Sequence, residues 1–489
     1  MERRTFLKIL SSAGIVSLVS TTFAMEVCKN KVSKSSSALL ESAFRNPPFS
    51  SGVYTWWHWM NGNITKDGIT RDLEAMKANG IAGYQLFEAG SGIPIGPVES
   101  LSDEWVDLIL HTLKESERLG LEFAMHNCPG WSSSGGPWIT PDKAMQIITW
   151  SETKITGGKQ VRIQLPTPKH MFDYYIDTYC LAIPANMKVI PRLSILELSN
   201  RLDKDGVLTW DVPTGEWLIM RFGQTAKDQK NKSAPSKSTG LDCDKFSTEA
   251  LDYHLNCMFK RLMPAMEKIA KHSKIGLLID SYETGDQDWT SDMPAYFEQS
   301  HGYELYPFLP VLANKIVESE ESTKRFLFDF RRVRADMFAE RYYGHFQKRC
   351  KEKGIITYTE PYGGNMMEEL QVAQQLDINM GEFWCGQTVL WANYKYNRTV
   401  KQVASIAHTL GGKVVGAEAF TSEPDADKWL QYPYALKSLG DYMFTRGLSR
   451  IYFHRFAHQP HPTAAPGMTM GAWGLHFDRT NTWWKPGKA

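Results

Sequence analysis

The chain has 489 residues, and 55 Lys and Arg balance 54 Asp and Glu to leave a formal net charge of +1. A nucleic-acid groove or a polyanionic tail would unbalance the charge, so neither is expected. Hydrophobic residues at 42% and charged residues at 22% describe an ordinary globular protein. Aromatic content is high, 12% with 16 Trp and 20 Tyr. Most such rings pack in cores, but a flat ring with a polar edge also suits a surface that stacks on sugars.

Glu2-Arg3-Arg4-Thr5-Phe6-Leu7-Lys8 sets a twin-arginine pair before a short apolar run over 9–19 that ends in small residues near Ala24. This pattern predicts an export signal over 1–24, too short to be a permanent membrane span, and a periplasmic or extracellular location in a bacterium. Residues 25–45 read as a linker. The seven cysteines are scattered with no CxxC pair, so no zinc site or disulfide framework is implied.

Apolar strand-like runs then alternate with helical spacing. Strands are predicted over 53–59, 81–87 and 121–126, with helices over 67–79 and 102–119 stopped by Gly80 and Gly120. From 153 to 227 short β-like runs are separated by Pro, Gly and Asn turns, which marks an inserted β-rich module, placed at 151–240, closed by a basic loop over 227–237. The first part of the alternating pattern thus spans 46–150 and the remainder 241–489. There, helices are expected over 248–271, 323–351 and near 400–410, and strands over 275–280, 355–359, 378–383, 414–420 and 451–453. Eight βα units make a (β/α)8 barrel with a β-rich insertion the economical fold, and no GxGxxG or P-loop supports the rival open sheet.

In a barrel the chemistry belongs at the carboxyl ends of the strands. Glu283, Glu360, Glu382 and Glu418 all stand at or just past such ends. One acidic residue there could simply open the next helix. Four, with aromatic or Gly residues close by, fit the paired carboxylates of glycoside hydrolysis, where one carboxyl must be protonated and another ionised. His58 after Trp56-Trp57, His126-Asn127 and His454 add polar groups at the ends of the first, third and eighth strands. No HExxH or similar spacing for a transition metal occurs; a calcium held by carboxylates from separate loops would leave no motif.

Trp56-Trp57-His58-Trp59-Met60-Asn61-Gly62-Asn63-Ile64-Thr65, His126-Asn127-Cys128-Pro129-Gly130-Trp131, Asp280-Ser281-Tyr282-Glu283 and Phe453-His454-Arg455-Phe456-Ala457-His458-Gln459-Pro460 together resemble family 106 of the glycoside hydrolases, the α-L-rhamnosidases. The resemblance implies a catalytic (β/α)8 barrel, an inverting mechanism and calcium near the site, with unknown ligands. It makes Glu283 the general acid, and Glu382 and Glu418 the carboxylates that position and activate water. It also implies β-sandwich domains after the barrel, where this chain stops at Ala489. The expected activity is removal of terminal α-L-rhamnose from a polysaccharide or glycoconjugate. The alternatives are a non-catalytic carbohydrate-binding relative and a barrel glycosidase for another sugar such as fucose.

Three finer expectations follow. The apolar strand before Glu283 and the adjacent Tyr282 should desolvate its carboxyl. Glu418 should be the base, with Glu382 sharing the water or a metal, and roughly 6.5–9.5 Å should separate acid and base. Trp57, His58, His126, Asn127 and His454 should line one pocket the size of a single sugar, with Glu360 as a further substrate-binding residue.

Overall fold

The structure is a computed structural model and describes residues 34–270, 274–385, 389–412, 414–422, 428–471 and 475–488. The expected export signal, residues 1–24, lies outside the described residues, as does Cys28. Contacts divide the chain into residues 1–52 and 53–489. In the first unit Lys34–Arg45, within the expected linker, forms a helix of 12 residues. Among the described residues no helix is long and apolar enough to cross a membrane.

In the second unit eight parallel strands close into a barrel: β1 (Val53–Met60), β2 (Ile81–Ala89), β3 (Glu122–His126), β4 (Ile275–Ile279), β5 (Ile356–Thr359), β6 (Ile378–Cys385), β7 (Val415–Ser422) and β8 (Arg450–Ala457). Each strand pairs with its neighbours in sequence, and β1 closes the ring against β8. Every residue of β2 and β7 is buried, as strands covered on both faces must be. Inside the barrel Tyr54, Trp56, Phe87, Leu278, Tyr358, Met380 and Tyr452 pack together below the carboxyl-terminal mouth.

The helices between strands begin and end where local chemistry dictates. Thr65 accepts from the Gly68 amide at 3.1 Å to cap Lys66–Ala78, and Ser102 accepts from the Trp105 amide at 3.1 Å to cap Asp103–Leu119, which ends on Gly120 in the left-handed region at φ 66°. The single helix expected over 248–271 is two, Thr248–Phe259 and Met263–Ile269. Pro264 lacks the amide needed to continue the first and sits instead in the opening turn of the second. The helix expected over 323–351 begins earlier, at Glu320 behind its Ser319 cap, and passes through a π-helical turn, Phe338–Gly344, before His345–Lys351.

The β-rich insertion separates β3 from β4 in sequence. Its opening strand, Gln146–Thr156, starts inside the stretch expected to belong to the barrel, because one strand runs on unbroken against Glu216–Ala226. Ile176–Pro184 pairs with the other edge of Glu216–Ala226, and Lys159–Gln164 pairs with Val207–Val212. Leu165, Cys180, Leu208, Trp210 and Ile219 form a core of their own there.

Candidate active site

Strand alternation decides which residues reach the barrel mouth. On β1 the inward set is Tyr54, Trp56 and His58, since successive side chains point to opposite faces. Trp56 stacks on Phe87 with ring centroids 4.4 Å apart and meets His454 edge-on at 5.5 Å, while His58 stacks on Phe87 at 5.2 Å. Trp57 points outward. Its indole donates to Asp72 at 3.3 Å and packs against Trp59, Tyr84 and His458, so the ring expected in the pocket is structural and Trp56 holds that place.

A cavity of about 310 Å³ opens at the mouth, lined by Trp56, His58, Trp131, Lys232, Asp280, Ser281, Glu283, Glu382, Trp384, Glu418, Thr421, His454 and Met470. Its size lies at the small end of the range for small-molecule pockets, ~300–1,000 Å³. A larger cavity of about 650 Å³ beside Pro433–Thr445 is a mostly apolar trough in which Lys437 and Asp441 pair with one another. The chemistry therefore lies with the smaller cavity.

Glu382 and Glu418 are direct partners in the parallel pairing of β6 and β7, and both are buried. The Trp384 indole donates to Glu382, and the Thr421 hydroxyl donates to Glu418. In a regular strand Thr421 would face away from Glu418. The register between β6 and β7 shifts at this point, Phe383 pairing with Ala419 and Trp384 with Thr421. The extra residue, Phe420, takes a φ of 63° and rotates Thr421 back to the inner face. A second shift between β1 and β8 sets His454 and Arg455 opposite one residue of β1. His454 Nδ1 lies 3.8 Å from Glu418 Oε1.

Burial dominates the electrostatics. The carboxyls of Asp280, Glu360 and Glu418 are all held well above the usual carboxylate range, first by desolvation. For Glu418 the next cause is the charge of Glu382, then that of Asp280, with the Thr421 hydroxyl opposing. The charge of Asp280 is the second cause of the shift at Glu360, as expected of two neighbouring carboxyls. The Tyr362 hydroxyl donates to Glu360. His58 and His454 are held well below the ordinary histidine value by burial and are neutral, and among the described residues Nδ1 of each has no hydrogen-bond partner.

Glu283 differs from these. Its side chain keeps 41% of its exposure and forms an ion pair with Lys232, while the Trp131 indole donates to it at 3.2 Å. The desolvated setting expected for Glu283 is absent because Tyr282 turns away, its hydroxyl donating to the Gly285 carbonyl and its ring edge-on to Phe338.

His126 and Asn127 do not line the cavity. His126 donates from Nδ1 to the Cys128 carbonyl at 2.9 Å and accepts the Asp280 amide on Nε2 at 3.3 Å, which fixes it as a neutral brace between β3 and β4. Asn127 donates to the carbonyls of Ser133 and Leu278, both at 2.9 Å. Glu360 lies fully buried, in contact with Asp280. Asp280 was readable as the end of an apolar strand. Lys232 carried no signal, since it lies in the basic loop expected only to close the insertion.

Calcium can be tested against the donor set. Asp280, Glu360, Glu382 and Glu418 are buried and offer hard oxygens, which suits such a cation chemically. In the positions they occupy, no three His, Cys, Asp or Glu side chains among the described residues are gathered to hold a metal.

A barrel with clustered carboxyls at its carboxyl-terminal mouth beside an aromatic wall is the frame of a glycoside-hydrolase barrel. The chain belongs to glycoside hydrolase family 106, described as alpha-L-rhamnosidase, whose family model matches residues 45–178 and 169–489. It is 41% identical over 481 residues to a protein of Formosa agariphila named "Putative beta-glucuronidase", a match over 92% of this chain and 40% of that one. The rhamnosidase from Novosphingobium sp. PP1Y shares the fold at a TM-score of 0.85 and 24% identity, over 92% of this chain and 59% of that one. The chain thus spans about two fifths of the curated relative's length.

Proposed function

We propose that this protein is an exported, exo-acting α-L-rhamnosidase that cleaves by an inverting acid/base mechanism. The observation that carries the reading is the in-register pair Glu382 and Glu418 on one side of a single-sugar cavity, with Glu283 at its rim. Trp56, backed by Phe87, supplies an apolar wall for a C6 methyl, and His58 Nδ1 and His454 Nδ1, which have no hydrogen-bond partner among the described residues, are polar atoms for hydroxyls. Lys232 is the one Lys or Arg among the described residues lining the cavity, and it pairs with Glu283. A glucuronide ring held against the inner wall would leave its carboxylate without a cation there, which favours rhamnose over the uronate in the relative's name.

Roles follow from position before pKa. Glu283, at the rim, faces the departing group and acts as the acid. Its ion pair with Lys232 must open first, because a carboxylate in an ion pair has no proton to give. Asp280 and Glu360, protonated by burial, are the adjacent proton store. Glu418, deeper and raised in basicity by its surroundings, is protonated by the same burial at rest, and in its ionised form it draws the proton from water on the opposite face. The test compares hydrolysis of aryl α-L-rhamnoside, aryl α-L-fucoside and aryl β-D-glucuronide. Turnover of the rhamnoside alone supports the reading, and turnover of the glucuronide or fucoside in its place overturns it.

A further inference from the structure

We infer that Lys232 recognises an anionic substituent on the leaving residue, so that the site prefers glycosides whose departing sugar carries a carboxylate or sulfate. The inference rests on the rhamnosidase reading for which bond is cut, and adds which neighbour that rhamnose is cut from.

The basic loop singles out one side chain. Lys230 pairs with Asp228 at 2.9 Å, Lys237 pairs with Glu99 at 3.4 Å, and Lys227 donates to the Asp286 carbonyl at 2.5 Å. Lys232 alone of these four lines the cavity. Its backbone is fixed there: the Trp131 amide donates to the Lys232 carbonyl at 3.1 Å, and the Gly90 amide to the Ser233 carbonyl at 2.8 Å. Asn231 donates to the carbonyls of Pro129 and Ser238, each at 3.1 Å. The approach is close enough to demand glycine at position 130, where φ is 82° and a Cβ would lie 2.2 Å from the Lys232 carbonyl oxygen. A rigid backbone therefore carries a side chain that is still 48% exposed, over the mouth of the site.

The partner of that side chain is the residue that must let it go. An ion pair between two such exposed groups contributes little in water, so opening it costs little. When a glycosidic oxygen takes its place on Glu283, the ammonium is left beside the leaving residue. The inner wall, by contrast, is Trp56, His58, Thr421, Glu418 and His454, and among the described residues it carries no Lys or Arg. Charge recognition therefore belongs to the part that leaves, not to the ring that is gripped. An acidic neighbour would also draw Lys232 off Glu283, coupling recognition to release of the acid.

The test uses three α-L-rhamnosyl disaccharides that differ only at C6 of the reducing residue: glucose, glucuronic acid and glucose 6-sulfate. The full chain should cleave one or both charged substrates with kcat/KM about 10-fold above the glucose compound, a preference that shrinks as salt is raised. Lys232→Met should bring the ratio to near one, and Lys232→Arg should keep it. Preference for the glucuronate alone, or for the sulfate alone, identifies the anion; both support the inference. Equal rates on all three substrates, or a preference that survives in Lys232→Met, overturn the inference, and continued hydrolysis of an aryl α-L-rhamnoside then leaves the rhamnosidase reading intact. Failure to cleave any rhamnoside overturns both.

Discussion

Glu382 and Glu418 stand side by side as paired residues of neighbouring parallel strands, and each carboxyl is met by a donor two or three residues further along its own strand. Two like charges so close to one another in a buried setting cannot both be held cheaply. Their competition makes Glu418 a stronger base than an isolated glutamate.

The two can be separated by mutation. Glu418→Gln should lower kcat by about 10³-fold, in the range removed with a general base, and should raise thermal stability by relieving crowded buried charge. Glu382→Gln should leave weaker but measurable turnover whose acid limb moves to lower pH. The sign follows from the second cause of the Glu418 shift: without the charge of Glu382, Glu418 ionises more readily and stays a base further into acid. A pH profile of kcat/KM on each variant checks both; an acid limb that moves upward in Glu382→Gln contradicts the coupling.

Trp56 and Trp57 should part in the same way. Trp56→Ala removes a ring that lines the cavity and should raise KM by roughly 10-fold or more, and because the ring also stacks on Phe87 inside the barrel it should cost about 3–5 kcal/mol of stability. Trp57→Phe deletes the indole donor to Asp72 and should cost about 1–3 kcal/mol of stability while KM stays constant. Urea denaturation alongside kinetics distinguishes them, and a KM change confined to Trp57→Phe would return that ring to the pocket.

Stability should fall as pH drops below about 6.5, in part through two buried histidines. Burial pushes His126 down to about 4 and His254 down to about 3. Both folded values lie below the unfolded one, so the unfolded chain binds more protons in this window, and stability present above it is lost on acidification by about 1.4 kcal/mol per pH unit for each ring. Asp244, raised by burial to about 6, acts in the opposite direction. The slope, not the level, is therefore the readout: His254→Asn should flatten the decline between pH 6 and 4, as measured by denaturant midpoints. An unchanged slope would mean that His254 titrates as it does in the unfolded chain.

Much of this arrangement was legible in the sequence, for identifiable reasons. Asp280, Glu360, Glu382 and Glu418 follow apolar runs, and in a closed parallel barrel the ends of such runs converge on one mouth. Period-two alternation also forbids Trp57 and His58 from sharing the pocket, and applying it strictly would have chosen Trp56. Register shifts were not legible. Nothing in the order Ala419-Phe420-Thr421 says that Phe420 will be the extra residue that returns Thr421 to Glu418. Lys232 was hidden for another reason: its place depends on hydrogen bonds from Gly90 and Trp131, more than a hundred residues before it. Glu283 was placed at the site but given the wrong surroundings, because sequence adjacency to Tyr282 says nothing about which way a loop side chain turns.

The central claim is an inverting rhamnosidase with acid and base on separate walls of the cavity, and stereochemistry tests it most directly. Proton NMR of an aryl α-L-rhamnoside during the first turnovers should show β-L-rhamnose as the initial product, with the α anomer appearing only as mutarotation proceeds. Initial release of α-L-rhamnose would contradict the account, since it requires a carboxylate close enough to attack the sugar itself, with carboxyls about 5–5.5 Å apart and no room for the water.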